Sequence, residues 1–276
     1  MHDHRPTSIL VATDMSARAD RALTRAMDLA AGFGARLAVM HVVDEDMPPT
    51  VRDMVCEQAR RLLLEQVAAL PQAASVPWEV EVAPGVDVAA IVGRAEAMQA
   101  GLVVLGAHRE RSFRGIIFGT TAERVMHSGT APVLVAHGAY RGPYRLVLAA
   151  VDGSAASLRA LTAALRCWPE AAVQAVHVLD LPGGAAAAGD AIEQAADRLR
   201  PALDRVRREV GRRPDLVVEV GDVDTVLRDL ATRHAADLVA VGTTGGNPSL
   251  RSLLGGTTER ILQSAPCDVL VVPPGL

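Results

Sequence analysis

The sequence predicts an α/β protein of two tandem doubly wound domains, residues 1–140 and 141–276, each a five-stranded parallel sheet flanked by helices. Three observations carry that expectation. The second half restates the first in the same order: TSILVATDMS at Thr7–Ser16 returns as RLVLAAVDGS at Arg145–Ser154, and GLVVLGAHR at Gly101–Arg109 as DLVAVGTTG at Asp237–Gly245. Short Val/Leu/Ile runs alternate with longer Ala/Arg/Leu stretches of helical period, the alternation that a βαβ architecture needs. The short runs, such as LVVLG and VLVV, are apolar throughout, which suits strands buried on both faces.

In order along the first unit, strands are expected near 8–13, 36–42, 77–82, 102–106 and 133–136, with helices near 17–32, 50–70, 86–100 and 119–128. The second unit gives strands near 145–151, 172–178, 215–220, 237–242 and 268–272, and helices near 155–167, 190–210, 222–235 and 256–264. The repeat supports each pairing. AVMHVVD at Ala38–Asp44 matches QAVHVLD at Gln174–Asp180, and WEVEVAPG at Trp78–Gly85 matches LVVEVGD at Leu216–Asp222. FGTTAERV at Phe118–Val125 matches GGTTERI at Gly255–Ile261, and SGTAPVLVA at Ser128–Ala136 matches SAPCDVLVV at Ser264–Val272. The Gly/Pro/Tyr stretch GAYRGPY at Gly138–Tyr144 reads as the joint.

Composition narrows the function. Aromatic residues make up 3% of the chain and the formal charge is −4, so neither a stacking platform nor a basic surface for nucleic acid or an anionic membrane is expected. All 28 basic residues are Arg, which rules out a Walker-type phosphate lysine and a Schiff-base lysine. Cys56, Cys167 and Cys267 are widely spaced and read as small buried hydrophobes in a reducing compartment. With no basic segment leading into a long apolar run, and no uninterrupted apolar span, the reading is a cytoplasmic protein.

In sheets of this kind ligands sit outside the carboxyl ends of the strands, so residues just after each strand are the candidates. After the fourth strand of the second unit comes GTTGGNPSLRSLLGGTTERI from Gly242, with spacing Gly-x2-Gly-x9-Gly. Gly242 and Gly245 remove Cβ atoms where a loop can wrap an anion, and Gly255 opens a helix whose N–H groups attract phosphate. Hydroxyls of Thr243, Thr244, Thr257 and Thr258 can add donors. The alternative is that these glycines only build tight turns.

With those residues in view, the chain resembles the universal stress proteins, two of whose domains it carries in tandem over its whole length. For the second domain the resemblance implies an adenine-nucleotide site at Asp152, Val178, Val241, Gly242, Gly245, Gly255 and Thr257, with Gly256 standing where the family has Ser or Thr. For the first it implies Asp14, Val42, Leu105, Gly106, Gly119 and Thr120, with Arg109 in place of the second glycine. The second site is the better preserved. ATP, ADP or AMP, with Mg, is the implied cofactor. The resemblance also implies that Val133–Ala136 and Val269–Val272 pair as an intrachain pseudo-dimer, and it allows a homodimer of the whole chain.

Other features have plainer readings. Asp14 and Asp152 can cap the next helix without any ligand. His41 and His177 fit a hydrogen-bonded structural role, and the Arg205–Arg213 run a solvated helix face. His2 and His4 make a poor metal tail, and His108 sits in the loop of the first site. No nucleophile elbow, paired carboxylates or metal motif is present, so no catalytic group is nominated and ATP turnover is expected to be slow at most. The function expected is a stress-response or regulatory protein that binds an adenine nucleotide, with regulatory protein partners; the alternative is a nucleotide-independent interaction scaffold.

Overall fold

The computed structural model describes residues 5–17, 19–107, 109–112, 115–118, 120–129, 131–138, 142–181, 188–243 and 256–273, with the backbone alone for 109–112, 115–118, 120 and 188. The chain divides into two compact units, Met1–Pro143 and Tyr144–Leu276.

The first unit runs β1 (Ser8–Ala12), α1 (Ala19–Phe33), β2 (Arg36–Asp44), α2 (Pro49–Ala68), β3 (Trp78–Gly85), α3 (Asp87–Ala97) and β4 (Leu102–Gly106). It continues with β5 (Arg109–Ser112), β6 (Gly115–Phe118), α4 (Thr120–Ser128) and β7 (Val133–Ala136). Five strands form a parallel sheet in the order β3-β2-β1-β4-β7. β1 thus has β2 on one side and β4 on the other, and chain direction across the sheet reverses between β1 and β4. Their apolar runs explain the placement: Ile9, Leu10, Val11, Val103 and Val104 are each 0% exposed, covered on both faces.

The helices read the same way. α1 buries Ala19, Ala22, Leu23, Ala26, Met27 and Ala30, a spacing of three and four residues that makes one stripe. That stripe packs on β1 and β4, and the small Ala side chains let the helix lie close to the sheet. α2 begins with Pro49 at its first turn, where the missing N–H has no helical partner to lose. Gln66 of α2 and Gln72, just beyond its end, reach back to Asp20 and Asp28 of α1 at 2.6 and 3.3 Å.

The second unit repeats the plan: β8 (Leu146–Ala150), α5 (Ala155–Cys167), β9 (Ala172–Leu179), α6 (Ala188–Val210), β10 (Asp215–Val220), α7 (Val223–Arg233), β11 (Leu238–Gly242), α8 (Gly256–Ser264) and β12 (Asp268–Val272). Its parallel order is β10-β9-β8-β11-β12, the same as in the first unit.

One feature of the first unit departs from the sequence reading. Where a glycine loop was expected after β4, β5 and β6 form an antiparallel ribbon, with Arg109 opposite Phe118 and Ser112 opposite Gly115. The β-branched and aromatic run Ile116-Ile117-Phe118 favours extended pairing over an anion-wrapping loop.

The three cysteines are free thiols, but only Cys267 is buried; Cys56 and Cys167 are half-buried, which corrects the expectation of three core residues. Burial, with Asp268 and Asp237 adding to it, pushes the Cys267 thiol up to about 12.

Candidate functional site

At the end of β1 the chain makes a tight turn that recurs at the end of β8. The Asp14 carboxylate accepts the Ser16 N–H at 2.9 Å, and Asp152 accepts the Ser154 N–H at the same distance. These are side-chain turns of the Asx type. The residue in the middle must take a left-handed conformation: Gly153 has φ +82°, and Met15 has φ 60° in the matching place. Glycine bears that conformation without cost, whereas Met15 stores strain beside the cleft. Helix capping falls to the next residue, since the Ser154 hydroxyl accepts the Ser157 N–H at 3.2 Å. The sequence reading gave the capping role to Asp152; the structure gives it to Ser154.

A histidine from the second strand fixes each turn from the side. His41 Nδ1 lies 2.8 Å from the Thr13 carbonyl, and His177 Nδ1 lies 2.7 Å from that of Val151. Because a carbonyl only accepts, Nδ1 carries the proton and donates, which leaves Nε2 as the acceptor of the neutral ring. Backbone bonds complete the clamp, with Thr13 N–H to Met40 at 2.9 Å and Val151 N–H to Val176 at 2.8 Å. The two aspartate turns are therefore held in the same way in both units.

In the first unit a cleft of about 200 Å³ opens at the carboxyl ends of β1 and β4, where the strand order switches. Asp14, Val42, Leu105 and Gly106, all nominated from sequence, line it. So do His41 and Asp87, which were not nominated. The volume lies below the ~300–1,000 Å³ of a pocket for a drug-sized ligand. Thr121 of α4 lines it as well. Thr120 opens α4, Arg109 lies in the backbone of the ribbon, and Gly119 falls outside the described residues.

The second unit carries the matching parts with different neighbours. Val178 follows His177 in β9, and buried Val241 precedes Gly242 at the end of β11. A Cβ on Gly242 would stand 2.7 Å from the Ala156 carbonyl carbon and 2.8 Å from its Cβ. Close approach of α5 by itself requires glycine here. Thr258 is likewise committed, because its hydroxyl donates to the Gly242 carbonyl at 2.9 Å. Thr243 is different: it is 2% exposed and its hydroxyl meets no hydrogen-bond partner among the described residues. Gly256 is exposed at the first position of α8, with Thr257 half-buried behind it. Gly245, Thr244 and Gly255 lie outside the described residues, as do His2, His4 and His108.

Around the second site, Asp222 caps α7 by accepting the Thr225 N–H at 3.3 Å. Arg260 of α8 reaches Asp224 at 2.6 Å and Asp222 at 3.6 Å. The neighbouring Asp224 carboxyl and the Thr225 amide hold Asp222 below its ordinary value. Neither carboxylate has a counterpart in the first unit, so sequence repetition could not have exposed this cluster. Among the described residues no group of His, Cys, Asp or Glu side chains could hold a metal ion, and no helix is long and apolar enough to cross a membrane.

A parallel sheet of this order, repeated in tandem, with a cleft at its switch point, defines a class: tandem doubly wound α/β proteins whose strand ends frame a small-molecule site. More narrowly, the chain belongs to the universal stress protein family, whose model matches residues 7–137 and again 143–273. A universal stress protein of Mycolicibacterium smegmatis is 28% identical to it, over 96% of this chain and 97% of that one. One from Methanocaldococcus jannaschii is 32% identical over 47% of this chain and 82% of its own length. Among solved structures, a universal stress protein from Archaeoglobus fulgidus shares the fold over 100% of both chains, with a TM-score of 0.76 and 20% identity.

Proposed function

We propose that this universal stress protein is a regulatory protein that binds an adenine nucleotide, and that the second unit holds it. The observation that carries the reading is the cleft at the β1/β4 switch point, lined by Asp14, Val42, Leu105 and Gly106. The turn and the histidine clamp that frame it recur in the second unit. There Gly245 stands where the first unit has Arg109.

The residues present fit a nucleotide. The base packs between the β9 segment at Val178 and the end of β11, with the sugar towards Asp152. The buried Thr243 hydroxyl lacks a partner in the described structure and supplies a donor towards a phosphate. Gly256 brings its exposed amide at the start of α8, where the helix end favours negative charge. Gly245 and Gly255 supply the remaining glycines of the Gly-x2-Gly-x9-Gly spacing, and Mg would accompany the phosphates. The output is binding, not turnover: nucleotide changes the surface that the Gly242–Gly256 segment offers to a partner protein.

Gly245→Arg copies the first unit and should weaken ATP affinity by about tenfold or more in a calorimetric titration. Equal affinity in wild type and variant overturns the assignment. The ribbon in the first unit favours the second reading, a nucleotide-independent scaffold, for that half of the chain. Adenine nucleotide retained after purification, released by denaturation and identified by mass, distinguishes the two for the whole protein.

A further inference from the structure

The exposed large apolar side chains among the described residues are Val51, Met54, Leu62, Leu64 and Val86, and all but Val86 stand on α2. Met54 is 66% exposed. The second unit shows what the fold itself requires of this helix. In the register that pairs His41 with His177, the buried Ala59, Leu63 and Val67 of α2 match the buried Ala195, Leu199 and Leu203 of α6. The same register matches Met54 with Asp190, Leu62 with Arg198 and Leu64 with Arg200. Both helices hold their unit through the same buried stripe, yet α2 turns apolar residues outward where α6 turns charges. Those residues answer to contact with something outside the unit.

The outward face of α2 has the spacing of a helix–helix seam. Thr50, Met54, Glu57, Arg61, Leu64 and Ala68 recur at alternating steps of four and three residues, and all are exposed. Laid on its own copy in the antiparallel sense, this seam is self-complementary: Thr50 meets Ala68, Met54 meets Leu64 and Glu57 meets Arg61, each contact made twice. Arg61 can turn to such a partner, since its pairing with Glu65 spans 3.7 Å between side chains 68% and 67% exposed. A parallel arrangement instead sets Glu57 on Glu57 and aligns the two helix dipoles. The matching seam of α6, Asp190, Glu193, Asp197, Arg200 and Asp204, would set Glu193 on Asp197 of a copy, and α2 laid on α6 would set Glu57 on Asp197.

We propose that the outward face of α2 seats a second copy of this chain, α2 on α2 across a two-fold axis. The apolar pairs Met54 and Leu64 lie at the two ends of the seam, with the Glu57 and Arg61 pairs fixing register and direction between them. Two helices of 20 residues, each about 30 Å long, make a contact at the lower end of the roughly 1,200–2,000 Å² that specific interfaces bury. The dimer is therefore reversible, with a dissociation constant in the micromolar range.

Sedimentation of the full chain over a series of concentrations tests this. The wild type should pass from monomer to dimer with a midpoint of about 1–100 μM. Glu57→Arg and Arg61→Glu should each weaken the dimer by about tenfold or more, because each sets like charges against one another on the axis. Mixed in equal amounts, the two variants should associate again, since each then faces the opposite charge of the other. Met54→Asp, which copies the second unit, should also weaken the dimer; the charge variants decide the matter if it loses its far-ultraviolet circular dichroism. A wild type that stays monomeric up to about 100 μM, a dimer that neither charge variant weakens, or a mixture no more associated than its components overturns the proposal.

Discussion

Met15 shows how a single side chain records the divergence of the two units. It occupies the left-handed position that Gly153 fills in the second unit, in a turn whose hydrogen bonds are otherwise the same. Met15→Gly should therefore stabilise the first unit by about 0.5–1 kcal/mol, the relief of strain exceeding the extra entropy of the unfolded chain. A drop in the chemical denaturation midpoint would contradict it. The converse holds at Gly242, where any Cβ meets the Ala156 backbone: Gly242→Ala should cost about 1–3 kcal/mol by overpacking. Burial sets the third residue-scale expectation. A thiol reagent applied to the native chain near neutral pH should leave Cys267 unmodified until denaturant is added, since its thiol is pushed up to about 12. Labelling of Cys267 in the native protein, read by peptide mass, would show that the site opens more readily than its packing implies.

At the scale of elements, the parallel strands were legible because each is an apolar run fenced by polar residues and written twice. The start of α5 fell where expected, just after the Ser154 cap, while α7 begins at Val223, one residue later than expected, because Asp222 is its cap. The ribbon was not legible from the repeat, because a repeat points to what its two copies share. Its own signal, Ile116-Ile117-Phe118, was present but was overshadowed by the glycine spacing around it. Since a whole ribbon replaces the loop, Arg109→Gly alone should leave ATP affinity of the first unit unchanged. Replacing residues 107–118 by 243–254, a swap of equal length, should confer ATP binding there, and calorimetric stoichiometry checks both. α4 adds a pH dependence. Burial holds the His127 pKa below 6.5, so the unfolded chain takes up the proton more readily than the folded one. Its contribution to stability is complete above about 6.5 and is lost as pH falls from there through the folded value. His127→Gln should flatten that part of the stability profile; an unchanged slope between wild type and variant would remove His127 as its cause.

Across the whole molecule, the sequence predicted one architecture used twice, and the two units share strand order, turn and histidine clamp. The candidate site was legible where it is built from strand ends, since Asp14, Val42, Leu105 and Gly106 meet around one cleft. His41 and Asp87 were not nominated, one because its repetition was read as purely structural, the other because it is not repeated at all. Gly242 and Thr258, expected at the ligand from sequence, also have packing roles: Gly242 lets α5 approach the sheet, and Thr258 of α8 donates to the Gly242 carbonyl. What separates the halves is thus the chemistry set on a common frame: a glycine-rich sequence after β11 in one, a ribbon and Asp87 in the other. The most direct test is calorimetric titration of the purified full chain with ATP, beside Gly245→Arg under the same conditions. The account predicts a stoichiometry near one for the wild type and loss of that site in the variant. Two tight and equivalent ATP sites in the wild type, or undiminished binding by Gly245→Arg, would contradict it.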